Sequence, residues 1–195
     1  MAEANPPTKV LCLHGCNQSE AMFQSLLKGW KKILAQHNLE LHYIQGAREH
    51  HLGNYTWYEE DLDVDQIGAA KYRDELVNPC LERMHAYILD HGITALLGFS
   101  QGGNVIDTYI SRYEGVTPIQ RAVILSGYEL VNPGRKALAT PLLSYYSEAD
   151  TIVLAKFRPQ NYENLIEVAH DNGHKLPKGN PAIRKLCNFL GTGEF

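Results

Sequence analysis

The sequence predicts an α/β fold, with a mainly parallel sheet flanked by helices on both faces. Three observations predict it. Short, continuously apolar runs recur along the chain, as in strands buried on both sides. Amphipathic stretches with helical spacing separate them. The 195 residues, 44% hydrophobic and 21% charged, are enough to bury a core as one domain spanning 1–195.

Each element follows in order. Met1 to Lys9 is polar, carries Pro6-Pro7 and reads as a loose tail. Lys9 to Leu13 is the first strand, closed by His14-Gly15. The next helix places Met22, Leu26, Leu27, Trp30, Ile33 and Leu34 at helical spacing. Leu39 to Ile44 is a strand ended by Gln45-Gly46. Leu76 to Leu89 sets Leu81, Met84, Ile88 and Leu89 on one helical face, and Pro79 is its weak point. Ile93 to Phe99 is a strand, and Asn104 to Tyr113 a helix with Val105, Ile106, Tyr109, Ile110 and Tyr113 on one stripe. Arg121 to Leu125, Leu142 to Tyr146 and Leu165 to Ala169 are strands. Ala182 to Leu190 is the closing helix, and Gly191 to Phe195 reads as a tail.

One stretch breaks the alternation. Residues 48–73 are polar, acidic and aromatic, and too long for an ordinary connection. They are expected to form a lid or pocket insertion. Trp57 and Tyr55, with Tyr58, are candidates to line a substrate pocket or to make the lid's packing face.

Charge and composition exclude several classes. A net charge of -4 argues against a nucleic-acid partner, which calls for a basic face. No apolar run approaches the roughly 20 residues of a membrane span, and no secretory signal opens the chain. The four cysteines, Cys12, Cys16, Cys80 and Cys187, form no C-x-x-C pair. Free thiols without a signal peptide point to a reducing, cytoplasmic compartment.

The chemistry centres on Gly98-Phe99-Ser100-Gln101-Gly102, with Gly103 after it. It lies where a strand ends and a helix begins. A serine on such a turn adopts a strained conformation and needs small neighbours. Its hydroxyl is lifted out of the sheet beside a helix N-terminus. Ser100 is thus the expected nucleophile, and the Gln101 N–H one oxyanion donor.

A serine needs a base. In this arrangement the acid and then the histidine follow the serine along the chain. Only His170 and His174 come after Ser100. His174 stands in a loop marked by Gly173 and Pro177, beyond a strand's carboxyl end, and is the expected base. His170 ends the strand and reads as structural. Gly173 between the two histidines counts against a shared metal site, and no metal or cofactor is expected. Asp150, in the loop after Leu142 to Tyr146, is the expected acid; Glu148 and Asp171 are its competitors. The second oxyanion donor is expected at the Cys16 N–H, in the His14-Gly15-Cys16 turn. His14 reads as holding that loop.

With these residues placed, the chain resembles the FSH family of serine hydrolases, first described in fungi. Leu11-Cys12-Leu13-His14-Gly15, with Gln18 and Phe23, is similar to that family's opening motif, and Gly98-Phe99-Ser100-Gln101-Gly102 to its nucleophile elbow. The resemblance covers nearly the whole chain. It implies an α/β-hydrolase fold and a Ser100, Asp150 and His174 triad, with oxyanion donors at Cys16 and Gln101. It also implies cofactor-free cleavage of small-molecule acyl esters or thioesters. The sequence departs from the pattern at Cys16, where a bulky residue is usual, and at Ser147-Glu148-Ala149-Asp150, where a glycine is commoner. Acyl-protein thioesterases and related carboxylesterases share the elbow, but their first loop is glycine-rich, unlike Cys16-Asn17-Gln18. A catalytically silent binding protein is the third alternative; such a protein need not keep elbow, acid and base together.

Overall fold

The computed structural model describes residues 6–59, 74–130 and 135–195. Six parallel strands form one sheet in the order β2-β1-β5-β6-β7-β8. These are β1 (Thr8–Leu13), β2 (Leu39–Tyr43), β5 (Ala95–Phe99), β6 (Arg121–Leu125), β7 (Leu142–Ser147) and β8 (Leu165–His170). Two short strands, β3 (Arg48–Glu49) and β4 (Tyr55–Thr56), make a separate antiparallel hairpin. The helices are α1 (Glu20–Leu27), α2 (Lys31–Gln36), α3 (Asp74–His91), α4 (Gln101–Tyr113) and α5 (Asn180–Thr192). The expected α/β class, with a parallel sheet between helical layers, is what the structure contains.

Side-chain alternation along the strands feeds two cores. Leu11, Leu13, Leu96, Ala122, Ile124 and Leu142 face α3 and α4. Val10, Cys12, Ala95, Leu97, Val123 and Leu125 face α1, α2 and α5. Both faces are apolar, so the central strands read as continuous apolar runs rather than alternating ones.

Several boundaries differ from expectation, each for a local reason. The single helix expected over Met22 to Leu34 is split by a 3₁₀ turn at Lys28–Trp30. Gly29 is a poor helix former, and the tighter turn still buries Trp30, Ile33 and Leu34. The first strand starts at Thr8, inside the expected tail. Helix α3 continues through Pro79, which lies in its second turn. Helix α4 begins at Gln101, not Asn104: Gly102 and Gly103 look non-helical in sequence, but the chain has no room to delay. Helix α5 runs on to Thr192 and is capped by Gly193 at φ +85°. Residues 60–73 of the expected lid or pocket insertion lie outside the described residues.

Chain direction reverses once in the sheet. The chain steps from β1 outward to β2, then returns past β1 to β5 and onward. The β1 and β5 carboxyl ends flank that switch point, where open α/β sheets form their crevice. Glycines set the closeness there. A Cβ on Gly102 would lie 2.4 Å from the Leu13 carbonyl oxygen and 2.5 Å from that of His14. One on Gly98 would lie 2.6 Å from the Gly102 carbonyl oxygen.

Gly102→Ala is expected to destabilise the chain by about 1–3 kcal/mol despite alanine's better helix propensity, because backbone cannot yield as a side chain can. Urea denaturation measures this; an unchanged midpoint would contradict the close-approach account.

Candidate active site

Ser100 follows β5 and caps α4 at φ +54°, ψ −121°, in the left-handed region that serine rarely occupies. Such a conformation costs about 1–3 kcal/mol and is kept only where surroundings impose it. Here the Ser100 N–H donates to the Leu125 carbonyl at 3.0 Å, and the Ser100 carbonyl accepts from the Asn104 N–H at 3.1 Å. The turn is thus tied to β6 on one side and to α4 on the other. Ser100 is 7% exposed. It stands at the start of a helix whose first N–H groups have no partner within the helix and favour negative charge.

His174 reaches Ser100 from the loop after β8. Its Nε2 lies 3.0 Å from Ser100 Oγ, and its Nδ1 lies 2.7 Å from Asp150 Oδ2. A carboxylate only accepts, so Nδ1 carries the ring proton and Nε2 presents its lone pair to the hydroxyl. Asp150, 3% exposed, has its other oxygen fixed by the N–H groups of Ile152 and Val153, both at 2.9 Å. The Phe99 ring packs 5.0 Å from the imidazole. Glu148 and Asp171 are exposed, and His170 accepts the Asn172 N–H on Nδ1 at 3.2 Å.

Ser147 was not singled out from sequence, yet it joins the two loops. Its Oγ accepts the Ala149 N–H at 3.2 Å and the Gly173 N–H at 3.2 Å. One buried hydroxyl therefore sets acid loop against histidine loop. An ordinary serine at a strand end carries no sequence signal for this.

The loop after β1 is held from several directions. Gly15 lies against the elbow: a Cβ there would be 3.3 Å from Ser100 Cβ. The Gly15 N–H donates to Gln18 Oε1 at 2.9 Å. The buried His14 ring accepts the Gly46 N–H on Nε2 at 2.9 Å. Its Nδ1 therefore holds the proton and donates to the Gly15 carbonyl at 2.8 Å. Cys16 follows this turn and is exposed.

Trp57 and Tyr55 fall behind this loop. Trp57 is 1% exposed, and its Nε1 donates to the His14 carbonyl at 2.8 Å. The structure places it as a brace in the core rather than on an open pocket wall. Tyr55 is half-buried, and its N–H donates to the Gln18 carbonyl at 3.0 Å. Tyr58 is buried as well, with its hydroxyl on Asn104. The Gln101 side chain locks the segment down. Its Oε1 accepts from Thr56 Oγ1 at 2.6 Å and the Trp57 N–H at 3.0 Å, and its Nε2 donates to the Tyr58 carbonyl at 3.1 Å. Sequence reasoning assigned Gln101 a backbone role and missed this side-chain role.

No cysteine is disulfide-bonded. Burial pushes the Cys80 and Cys187 thiols up to about 12, so they stay protonated. Among the described residues, no group of three His, Cys, Asp or Glu side chains is arranged to hold a metal ion, and no helix is long and apolar enough to cross a membrane. An attacking hydroxyl, a base with its lone pair directed at it, a fixed carboxylate and an adjoining helix start can together carry out acyl transfer.

The family described as Serine hydrolase (FSH1) matches residues 3–186. An esterase of Caenorhabditis elegans is 22% identical over 210 residues, covering 96% of this chain and 94% of that protein. Family of serine hydrolases 3 of Saccharomyces cerevisiae is 23% identical over 224 residues, covering 93% and 83%. The crystal structure of a carboxylesterase from Mesorhizobium loti superposes with a TM-score of 0.71 at 16% identity, covering 94% of this chain and 88% of that one. It shares the fold.

Burial holds His14 below the ordinary histidine range, opposed by its bond to the Gly15 carbonyl. The unfolded chain therefore binds more protons than the folded one below about pH 6.5. The stability of the neutral ring is complete above that pH and is lost as pH falls through it. Thermal melts from about pH 7.5 to about pH 5 should show Tm falling, less steeply in His14→Gln. An identical slope in the variant would remove His14 from the account.

Proposed function

Because the chain belongs to the Serine hydrolase (FSH1) family, we propose that it cleaves carboxylic esters or thioesters through an acyl-enzyme formed on Ser100. The observation that carries this reading is the unbroken relay from Asp150 Oδ2 through His174 to Ser100 Oγ, at 2.7 and 3.0 Å.

Ser100 Oγ attacks the carbonyl carbon as its proton passes to His174 Nε2. The carbonyl oxygen becomes an oxyanion, which accepts from the N–H groups of Cys16 and Gln101. Asp150 holds the ring in register and stabilises its charged form. As the tetrahedral centre collapses, the alcohol or thiol departs and takes the proton from Nε2. Water then attacks the acyl-enzyme, gives its proton to His174, and the acid leaves as Ser100 regains the proton. Atoms and charge balance without a cofactor. The hairpin and Trp57 serve as a brace for the oxyanion loop rather than as substrate contacts. The net charge of -4 fits a small-molecule substrate better than a nucleic acid, and free cysteines fit a reducing, cytoplasmic setting.

Turnover of p-nitrophenyl butyrate and a matched butyryl thioester tests the reading. Wild type should hydrolyse at least one. Asp150→Asn should lose about 10⁴-fold in kcat, as expected when the imidazole takes the wrong tautomer. A loss under about tenfold would transfer the acid role to Glu148 or Asp171. An inert wild type would favour a binding protein.

A further inference from the structure

A cavity of about 430 Å³ opens beside His174, on the face of the sheet that carries α1. Its apolar walls come from Leu26, Trp30, Phe99, Leu176 and Pro177. Leu26 is 50% exposed, and Met22, one turn before it on α1, is 44% exposed, so apolar surface continues past the mouth. An apolar hollow touching the base of a serine relay is suited to the carbon chain of an acyl group. Its volume lies toward the small end of ligand sites, about 300–1,000 Å³, which fits a medium chain better than a long one.

Lys175 and Lys178 border the cavity, and among the described residues no Asp or Glu lines it; Asp150 lies behind His174. Neither lysine has an ion-pair partner among the described residues. In a chain of net charge -4, two lysines at the rim of a cavity lined by His174 form a local positive field on its solvent side. An apolar wall with a cationic rim matches a ligand with a hydrocarbon body and an anionic end.

We infer that the substrates of this site are esters or thioesters of a medium-length apolar acyl chain that also carry an anionic group, seated between α1 and the 174–178 loop. This rests on the hydrolase reading above. The anion belongs either to the far end of the acyl chain or to the leaving group, and the two are separable.

The test compares kcat/KM within two matched pairs at low salt. The first pair is p-nitrophenyl octanoate and the mono-p-nitrophenyl ester of suberic acid, which adds a carboxylate to the acyl end. The second pair is the octanoyl thioesters of N-acetylcysteamine and of 3-mercaptopropionate, which adds one to the leaving group. The charged member of at least one pair should be favoured by about two- to thirtyfold, the range for two exposed ion pairs. That preference should shrink at about 0.5 M salt and reverse in Lys175→Glu/Lys178→Glu. The pair that responds locates the anion. If the variant does not fold, the wild-type salt dependence reads the same field. Ratios within twofold of one in both pairs, or a preference untouched by salt and by the substitutions, would overturn the inference. Failure of all four substrates, with no phosphonate adduct on Ser100, would instead overturn the hydrolase reading and this inference with it.

Discussion

The site depends on one backbone constraint, the positive φ of Ser100. A serine is held there because β5 and α4 meet with no spacer, and they meet because Gly98 and Gly102 have no Cβ to separate them. The turn raises Oγ above the sheet and starts α4 directly beneath it. Its strain is offset by bonds to Leu125 and Asn104 and by the packing of two apolar cores. Stability and the geometry of the candidate site are thus joined in the same few residues.

Around that turn, each polar group is fixed by a second one. Ile152 and Val153 fix Asp150, and Asp150 fixes His174. Ser147 ties the acid loop to the histidine loop. On the other side, His14, Gln18 and Trp57 hold the loop that leads to Cys16, and Gln101 clamps the hairpin segment onto the elbow. In the proposed reaction such preorganisation would matter, because groups already fixed in place need no reorganisation as charge develops. Hydrogen bonds in this buried setting are also costly to break, since each partner would be left without water.

The fold class was legible because strands buried on both faces have a distinctive composition. That Ser100, Asp150 and His174 stand at strand ends and meet there was legible because glycine punctuation and chain order mark those loops. The rest required three dimensions. Gln101, Ser147 and Trp57 act through partners far along the chain, and no local pattern records those pairings. Trp57 and Tyr55 sit in a polar, aromatic stretch that left a pocket wall and a packing face equally open, and the fold turns Trp57 inward against His14. The break at Gly29 and the early start of α4 were missed because packing overrode local helix propensity.

The most direct test of this account is a site-mapped reaction with a fluorophosphonate. Intact-mass and peptide analysis should find a single stoichiometric adduct on Ser100, formed far more slowly in His174→Ala and absent in Ser100→Ala. An adduct on another residue, or labelling that does not depend on His174, would contradict the claim that the turn and its relay make Ser100 the nucleophile.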